Sequence, residues 1–254
     1  MSQSSTSQHV HHWEVSWAPM VATFGILFAL PLAFSAYFVY ENTLLTVIFA
    51  GIGTPMMLAG IAKWVSETLH EKPLIEGMSP VGLPYFIVSE VFIFLGFFVS
   101  YWAMRLSAGN AWPPEGTPEF NTQLPIIMTV ILVASSITYH VAEEKYEHND
   151  FPGFRKWLII SIALGLIFLG CTFYEYNHLL HQGFAPSTNA FSSIFYSITG
   201  FHASHVIVGL GVFIAILIPA FSNKAHKSLV FCGGVYWHFV DVVWFFVASQ
   251  VYFW

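Results

Sequence analysis

The chemistry-bearing residues of this chain are acids and imidazoles embedded in apolar sequence. Glu90 sits in the middle of the run Val81 to Ala103. A carboxylate at that depth of hydrocarbon must be protonated, paired or watered, and such a residue is a functional-site candidate by default. Four other groups fall at comparable depth. His202, His205 and Gly209 follow the i, i+3, i+7 spacing of one helical stripe. His238 and Asp241 are i, i+3, so imidazole and carboxyl share a helix face. A lone ionisable group at midplane costs ~2.5 to 3.5 kcal/mol on insertion scales, less if it is neutralised or paired. These side chains can therefore be a proton-handling layer or interior hydrogen-bond groups that tie helices together. Gly200, Ser204 and Gly211 form a second stripe of small residues, suited to close helix contact.

The positioning elements are helices in a membrane. Hydrophobic residues make up 56% of the 254 and charged residues only 9%, far below the roughly 25% charged of soluble domains. Spanning ~30 Å of hydrocarbon takes ~20 helical residues. By that rule the chain divides into seven spans, at about residues 18 to 40, 44 to 65, 80 to 106, 122 to 142, 156 to 179, 190 to 220 and 229 to 254. The expected fold is all-α, a polytopic bundle forming one transmembrane domain over residues 1–254. A polar tail occupies about 1–17, helices one and two about 18–65, and helices three to seven about 80–254. Pro31, Pro55 and Pro84 lie inside spans, where each is expected to kink its helix. No removable signal peptide is visible, since the first residues lack a basic stretch and a small-residue cleavage site.

Charge sets the expected orientation. Lys63, Lys72, Lys145, Arg155, Lys156, Lys224 and Lys227 flank one side, and only Arg105 the other. That asymmetry puts the N-terminus in the cytoplasm and Trp254 on the periplasmic face. The net charge of −6 and the scattered cations leave no basic stripe for nucleic acid. Cys171 and Cys232 read as small apolar side chains rather than a disulfide framework. Twelve histidines invite a metal, but a di-iron carboxylate site wants two Glu-x-x-His units. Only Glu175-Tyr176-Asn177-His178 has that spacing, near a span end, so no metal site is expected.

Three stretches carry a resemblance. Ser89-Glu90-Val91-Phe92-Ile93-Phe94-Leu95-Gly96-Phe97-Phe98, with the later Trp112-Pro113-Pro114, is similar to the third helix and following loop of subunit III of the haem-copper respiratory oxidases. Thr199-Gly200-Phe201-His202-Ala203-Ser204-His205-Val206-Ile207-Val208-Gly209 resembles its sixth helix. Tyr236-Trp237-His238-Phe239-Val240-Asp241-Val242-Val243-Trp244 resembles its seventh. Glu175-Tyr176 resembles the family's acidic pair at the outer end of helix five. The likeness runs from span two to the C-terminus, and the first span matches only in type.

The resemblance implies an accessory subunit of a proton-pumping cytochrome c oxidase in aerobic respiration, carrying no redox centre. Haem and copper would sit in subunits I and II, with helices three to seven against subunit I. Helices one and two would splay from the others into a cleft that holds phospholipid. Glu90 would face subunit I, maintaining proton uptake and protecting the active site during turnover. Seven spans resemble the branch that takes electrons from cytochrome c, a quinol-oxidising relative being the alternative. Where family members carry a basic stretch after helix two, this chain has His70. That leaves Lys63, Trp64 and His70 as candidate lipid contacts. The short loop between spans two and three, and Ile137-Thr138-Tyr139-His140-Val141-Ala142 at the end of span four, suggest a bacterial inner-membrane protein. From the residues alone two other readings stay open. One is an independent proton or ion transporter using the same polar layer, and the other a bis-histidine membrane cytochrome.

Overall fold

The computed structural model describes residues 16–38, 40–70 and 78–253. Most of the polar tail, Lys72 and Trp254 lie outside them, as does the side chain of His70. Every regular element among the described residues is helical. Among the described residues seven helical stretches are long and apolar enough to cross a membrane, and the chain forms two compact units, 1–76 and 77–254.

In the first unit, α1 (Ala18–Leu27) and α2 (Ala33–Phe38) are joined by a π-helical turn, Phe28–Leu32, and α3 runs Thr43–His70. Pro31 lies in the π turn. A proline offers no N–H to the ladder, and a widened turn accommodates the lost bond. Asn42 starts α3 by accepting from the Leu45 amide at 3.1 Å. The two helices meet along small residues. A β-carbon added at Gly60 would lie 2.5 Å from the Ala22 nitrogen, and one at Gly25 or Gly53 would strike the facing backbone. With lipid tails as apolar as the helices, such backbone approach is a main source of association.

The second unit contains α4 (Met78–Ala108), a 3-10 turn (Gly109–Ala111), α5 (Gln123–Glu147), α6 (Phe151–His181), α7 (Ala190–Ala220) and α8 (Lys227–Val251). The helix α8 is central, in contact with α4, α5 and α7, while α5 packs on α6 and α6 on α7. Hydropathy ends span four near residue 142 and starts span five near 156, but α5 and α6 leave only residues 148–150 between them. The charged run Glu143-Glu144-Lys145-Tyr146-Glu147 is made largely of good helix formers, so the helix continues past its apolar part. Asn149 at φ 59° makes the turn, and Asp150 caps α6 by accepting from the Gly153 amide at 3.0 Å. At the other end of the bundle Asn189 and Ser192 form a reciprocal capping box that starts α7. Both α3 and α4 run on as α-helix through Pro55 and Pro84.

The fully buried Trp237 is the keystone of this unit. Its indole N–H donates to Ser135 Oγ at 3.1 Å, and Ser135 donates to the Ser161 carbonyl at 3.3 Å. Its rings fill space left by Gly165 on α6 and Gly209 on α7, where added β-carbons would lie 3.1 Å and 2.7 Å from them. The Gly200–Ser204–Gly211 stripe is not a seam within this unit. Ser204 and Gly211 are exposed, and nothing lies within 4 Å of a Gly211 β-carbon. Gly209, which shares a stripe with the histidines, faces the core instead.

Because Trp237 has nowhere to move, Gly209→Leu should destabilise the helix bundle by about 1–3 kcal/mol or more through overpacking. Thermal unfolding in detergent followed by circular dichroism reads this as a lowered midpoint. Gly170→Ala, at a position with nothing within 4 Å, should leave it unchanged.

Candidate functional site

The half-buried acid of α4 meets the imidazole stripe of α7. Glu90 lies about 18 Å along α4 from Met78, at 1.5 Å per residue, and His205 about 22 Å back along α7 from Ala220. His205 Nε2 sits 3.1 Å from Glu90 Oε2, and the two side chains are 9% and 14% exposed. The other ring nitrogen, Nδ1, lies 2.9 Å from the Phe201 carbonyl oxygen. Phe201, Phe94, Phe239 and Tyr236 surround the imidazole at centroid distances of 4.6, 5.2, 6.2 and 6.3 Å. The Tyr236 hydroxyl donates to the His205 carbonyl at 3.3 Å.

These partners fix the proton inventory. A carbonyl oxygen only accepts, so Nδ1 carries a hydrogen. A neutral ring then presents a lone pair at Nε2, which cannot bond to a bare carboxylate. One proton must lie between the two groups, either on a carboxylic acid donating to Nε2 or on an imidazolium donating to the carboxylate. In both cases the pair is neutral overall, which removes most of the cost of an ionisable group in hydrocarbon.

His202, one turn earlier on α7, lies between Phe168 and Trp244 at 5.7 and 5.2 Å, with neither ring nitrogen hydrogen-bonded. It is thus on the stripe but not in the acid–imidazole pair. His238 and Asp241 are linked through a third residue. Ser136 of α5 bonds Asp241 Oδ2 and lies 3.0 Å from His238 Nδ1. A hydroxyl has one proton to give, so the order His238 N–H to Ser136 O–H to Asp241 carboxylate satisfies all three. Asp241 Oδ1 is buried without a partner.

Glu175, near the far end of α6, is buried and accepts from the Tyr252 hydroxyl at 2.7 Å. Burial, and next the Glu175 carboxyl, push the Tyr252 phenol well above its ordinary value, which keeps it a donor. In the first unit Lys63 pairs with Glu67 at 3.4 Å and lies 4.2 Å from the centre of the Trp17 ring, with Trp64 exposed beside it. Cys171 and Cys232 are free thiols, half-buried. Among the described residues no group of three or more His, Cys, Asp or Glu is placed to hold a metal ion.

Sequence spacing does not reveal Ser136 or Tyr236. A serine or tyrosine in an apolar span is ordinary, and what singles these out is a tertiary contact with groups about 100 and 31 positions away.

The polar layer thus joins helices α4 to α7 and α5 to α8, and the segments that carry it are those a family model matches. The model for cytochrome c oxidase subunit III covers residues 9–254. The chain belongs to that family. The match includes the first span, which the sequence reading likens to the family only in type. A probable cytochrome c oxidase subunit 3 from Nocardia farcinica is 39% identical over 179 residues, 69% of this chain and 88% of the relative. A cytochrome c oxidase subunit 3 from Synechocystis is 42% identical over 175 residues, 67% of this chain and 73% of the relative. One from Thermostichus vulcanus is 36% identical over 187 residues, 72% and 89% respectively. Membership makes this a multi-pass membrane protein and an accessory subunit of an oxidase complex.

The proton count gives a direct test. Glu90→Gln keeps a donor to Nε2, so its thermal midpoint should match the unsubstituted protein. Glu90→Leu strands a buried nitrogen, at about 1–3 kcal/mol, and should lower the midpoint. Equal midpoints for both variants would show that the pair contributes nothing to holding α4 on α7.

Proposed function

We propose that the chain is the redox-centre-free subunit III of a proton-pumping cytochrome c oxidase. Helices α4 to α8 pack against the haem-bearing subunit I, subunit II completes the core, and cytochrome c supplies electrons. The observation that carries this reading is the acid–imidazole pair of Glu90 and His205 within a chain of the subunit III family. A pair that holds one proton, at the bundle edge and partly open, is suited to buffering protons beside a partner that consumes them. The role of Glu90 is then to sustain proton uptake by subunit I, and through it the lifetime of the enzyme during turnover. His202, His205, His238 and Asp241 support the layer, and Glu175 braces the outer end through Tyr252.

The same reading takes the N-terminus as cytoplasmic and the C-terminus as periplasmic in a bacterial inner membrane, consistent with the distribution of Lys and Arg. Phospholipid is a ligand in this reading, with Lys63, Trp64 and His70 as its candidate contacts. The relatives' names favour cytochrome c over quinol as the donor. An independent ion transporter would use the same residues, and it predicts pH-driven flux from the chain alone in liposomes.

Purification from native membranes in mild detergent should bring down haem-bearing partners, and the isolated chain alone would overturn the assignment. Within the complex, Glu90→Gln should give normal assembly and initial turnover but a shorter active lifetime at steady state. An unchanged lifetime would make the carboxyl a structural group only.

A further inference from the structure

A second polar feature lies away from Glu90, on the face between α5 and α8. A groove of about 580 Å³ is lined by His140, Glu143, Glu144 and Glu147 of α5 and by Lys227, Phe231 and His238 of α8, among others. Three carboxylates face one ammonium there. Gly234 forms part of its wall, and a β-carbon at that position would strike the Glu143 carboxyl. Gly234, His238 and Asp241 follow i, i+4, i+7, so Asp241 continues the groove-lining stripe of α8 one turn deeper. Ser136 ties that turn together by bonding both His238 and Asp241. Asp241 is 7% exposed, and its Oδ1 has no hydrogen-bond partner. The groove therefore runs from a carboxylate cluster at one end of the bundle to the exposed His238 near the middle of α8, with Asp241 buried behind it.

We propose that this groove is the docking site for a basic side chain, Arg or Lys, on a transmembrane segment of a partner polypeptide. The inference rests on the oxidase-subunit reading and adds to it which face meets a partner and by what chemistry. Depth decides between polypeptide and lipid. His238 is about 16 Å along α8 from Lys227, and it is exposed, as is His140. At that depth a lipid offers only acyl chain, against which an exposed imidazole is costly. A helix can offer a cation to Glu143, Glu144 and Glu147 and, further in, a polar partner to the exposed His238. Charge complementarity of this kind fixes which partner binds and in what register.

The test uses the intact complex with a photoreactive benzoylphenylalanine at Phe231, an exposed groove residue, or at Val91 on α4, also exposed. Illumination and mass spectrometry should give a polypeptide adduct from Phe231 whose peptide contains or adjoins Arg or Lys. The double charge reversal Glu144→Lys/Glu147→Lys, at exposed positions, should lower that adduct's yield about tenfold while the Val91 adduct persists. Lipid adducts alone from Phe231, or a polypeptide adduct indifferent to charge reversal, would overturn the docking site. If Val91 still captures a polypeptide, the oxidase-subunit reading survives that result. Polypeptide adducts from neither position, with the chain purifying alone, would end both.

Discussion

One proton held between Glu90 and His205 sets what the α4–α7 contact can be. In water a carboxylate and an imidazole each find partners freely, but in hydrocarbon an unpaired member of either kind is expensive. The Phe201 carbonyl occupies Nδ1, so only Nε2 is left for Glu90, and the bond can form only if the pair as a whole is neutral. Register between the two helices follows. A slide by one turn, about 5.4 Å, would separate the pair and leave both groups unsatisfied. Apolar contacts such as Phe94 with Phe201 and His205, at 4.9 and 5.2 Å, tolerate small shifts, whereas the hydrogen bond selects one alignment.

The same logic repeats across the bundle, with different groups at each helix pair. Ser136 joins α5 to α8, Tyr139 on α5 donates to the Val230 carbonyl at 2.7 Å, and Trp244 donates to Thr129 at 2.9 Å. Around these bonds the packing is close. Trp237 lies against Gly165 and Gly209, and Tyr139 stacks on Phe213 at 4.3 Å. Lipid competes with helix surfaces for apolar contact on nearly equal terms, so specificity must come from fit and from hydrogen bonds that lipid cannot supply. That is why the central helix α8 carries both the keystone indole and the His238–Asp241 turn.

Helix number and position were legible from hydropathy, because a span is a continuous apolar run and its length is set by the bilayer. The extension of α5 through Glu147 was not, since charged helix formers mark the end of the apolar zone without ending the helix. The polar layer was legible residue by residue, each ionisable group standing out against its apolar neighbours. Its wiring was not. Spacing placed His238 and Asp241 on one face but could not show Ser136 between them, and nothing in the sequence near Glu90 names His205, 115 positions away. The small-residue stripe illustrates the opposite failure. Gly200, Ser204 and Gly211 satisfied the spacing rule, yet the rule does not say which face of a helix a neighbour occupies, and the neighbour lies on the side of Gly209.

An accessory subunit without a redox centre gains little from ionisable groups unless a neighbour uses them. If all five were only glue between helices, each would be expected to end in a closed set of bonds, as Glu175 does with Tyr252. Glu90 instead shares its proton at a partly exposed position, and Asp241 keeps an acceptor in reserve behind an exposed His238. His202, 1% exposed with neither ring nitrogen bonded, is a third departure, and it and Asp241 lie inside the unit. Of these groups Glu90 alone reaches the edge, where another surface can complete what the helices leave open. The polar layer is accordingly an internal brace at Ser136 and Asp241 and, in the proposed assembly, half of an interface where Glu90 and His238 reach the surface.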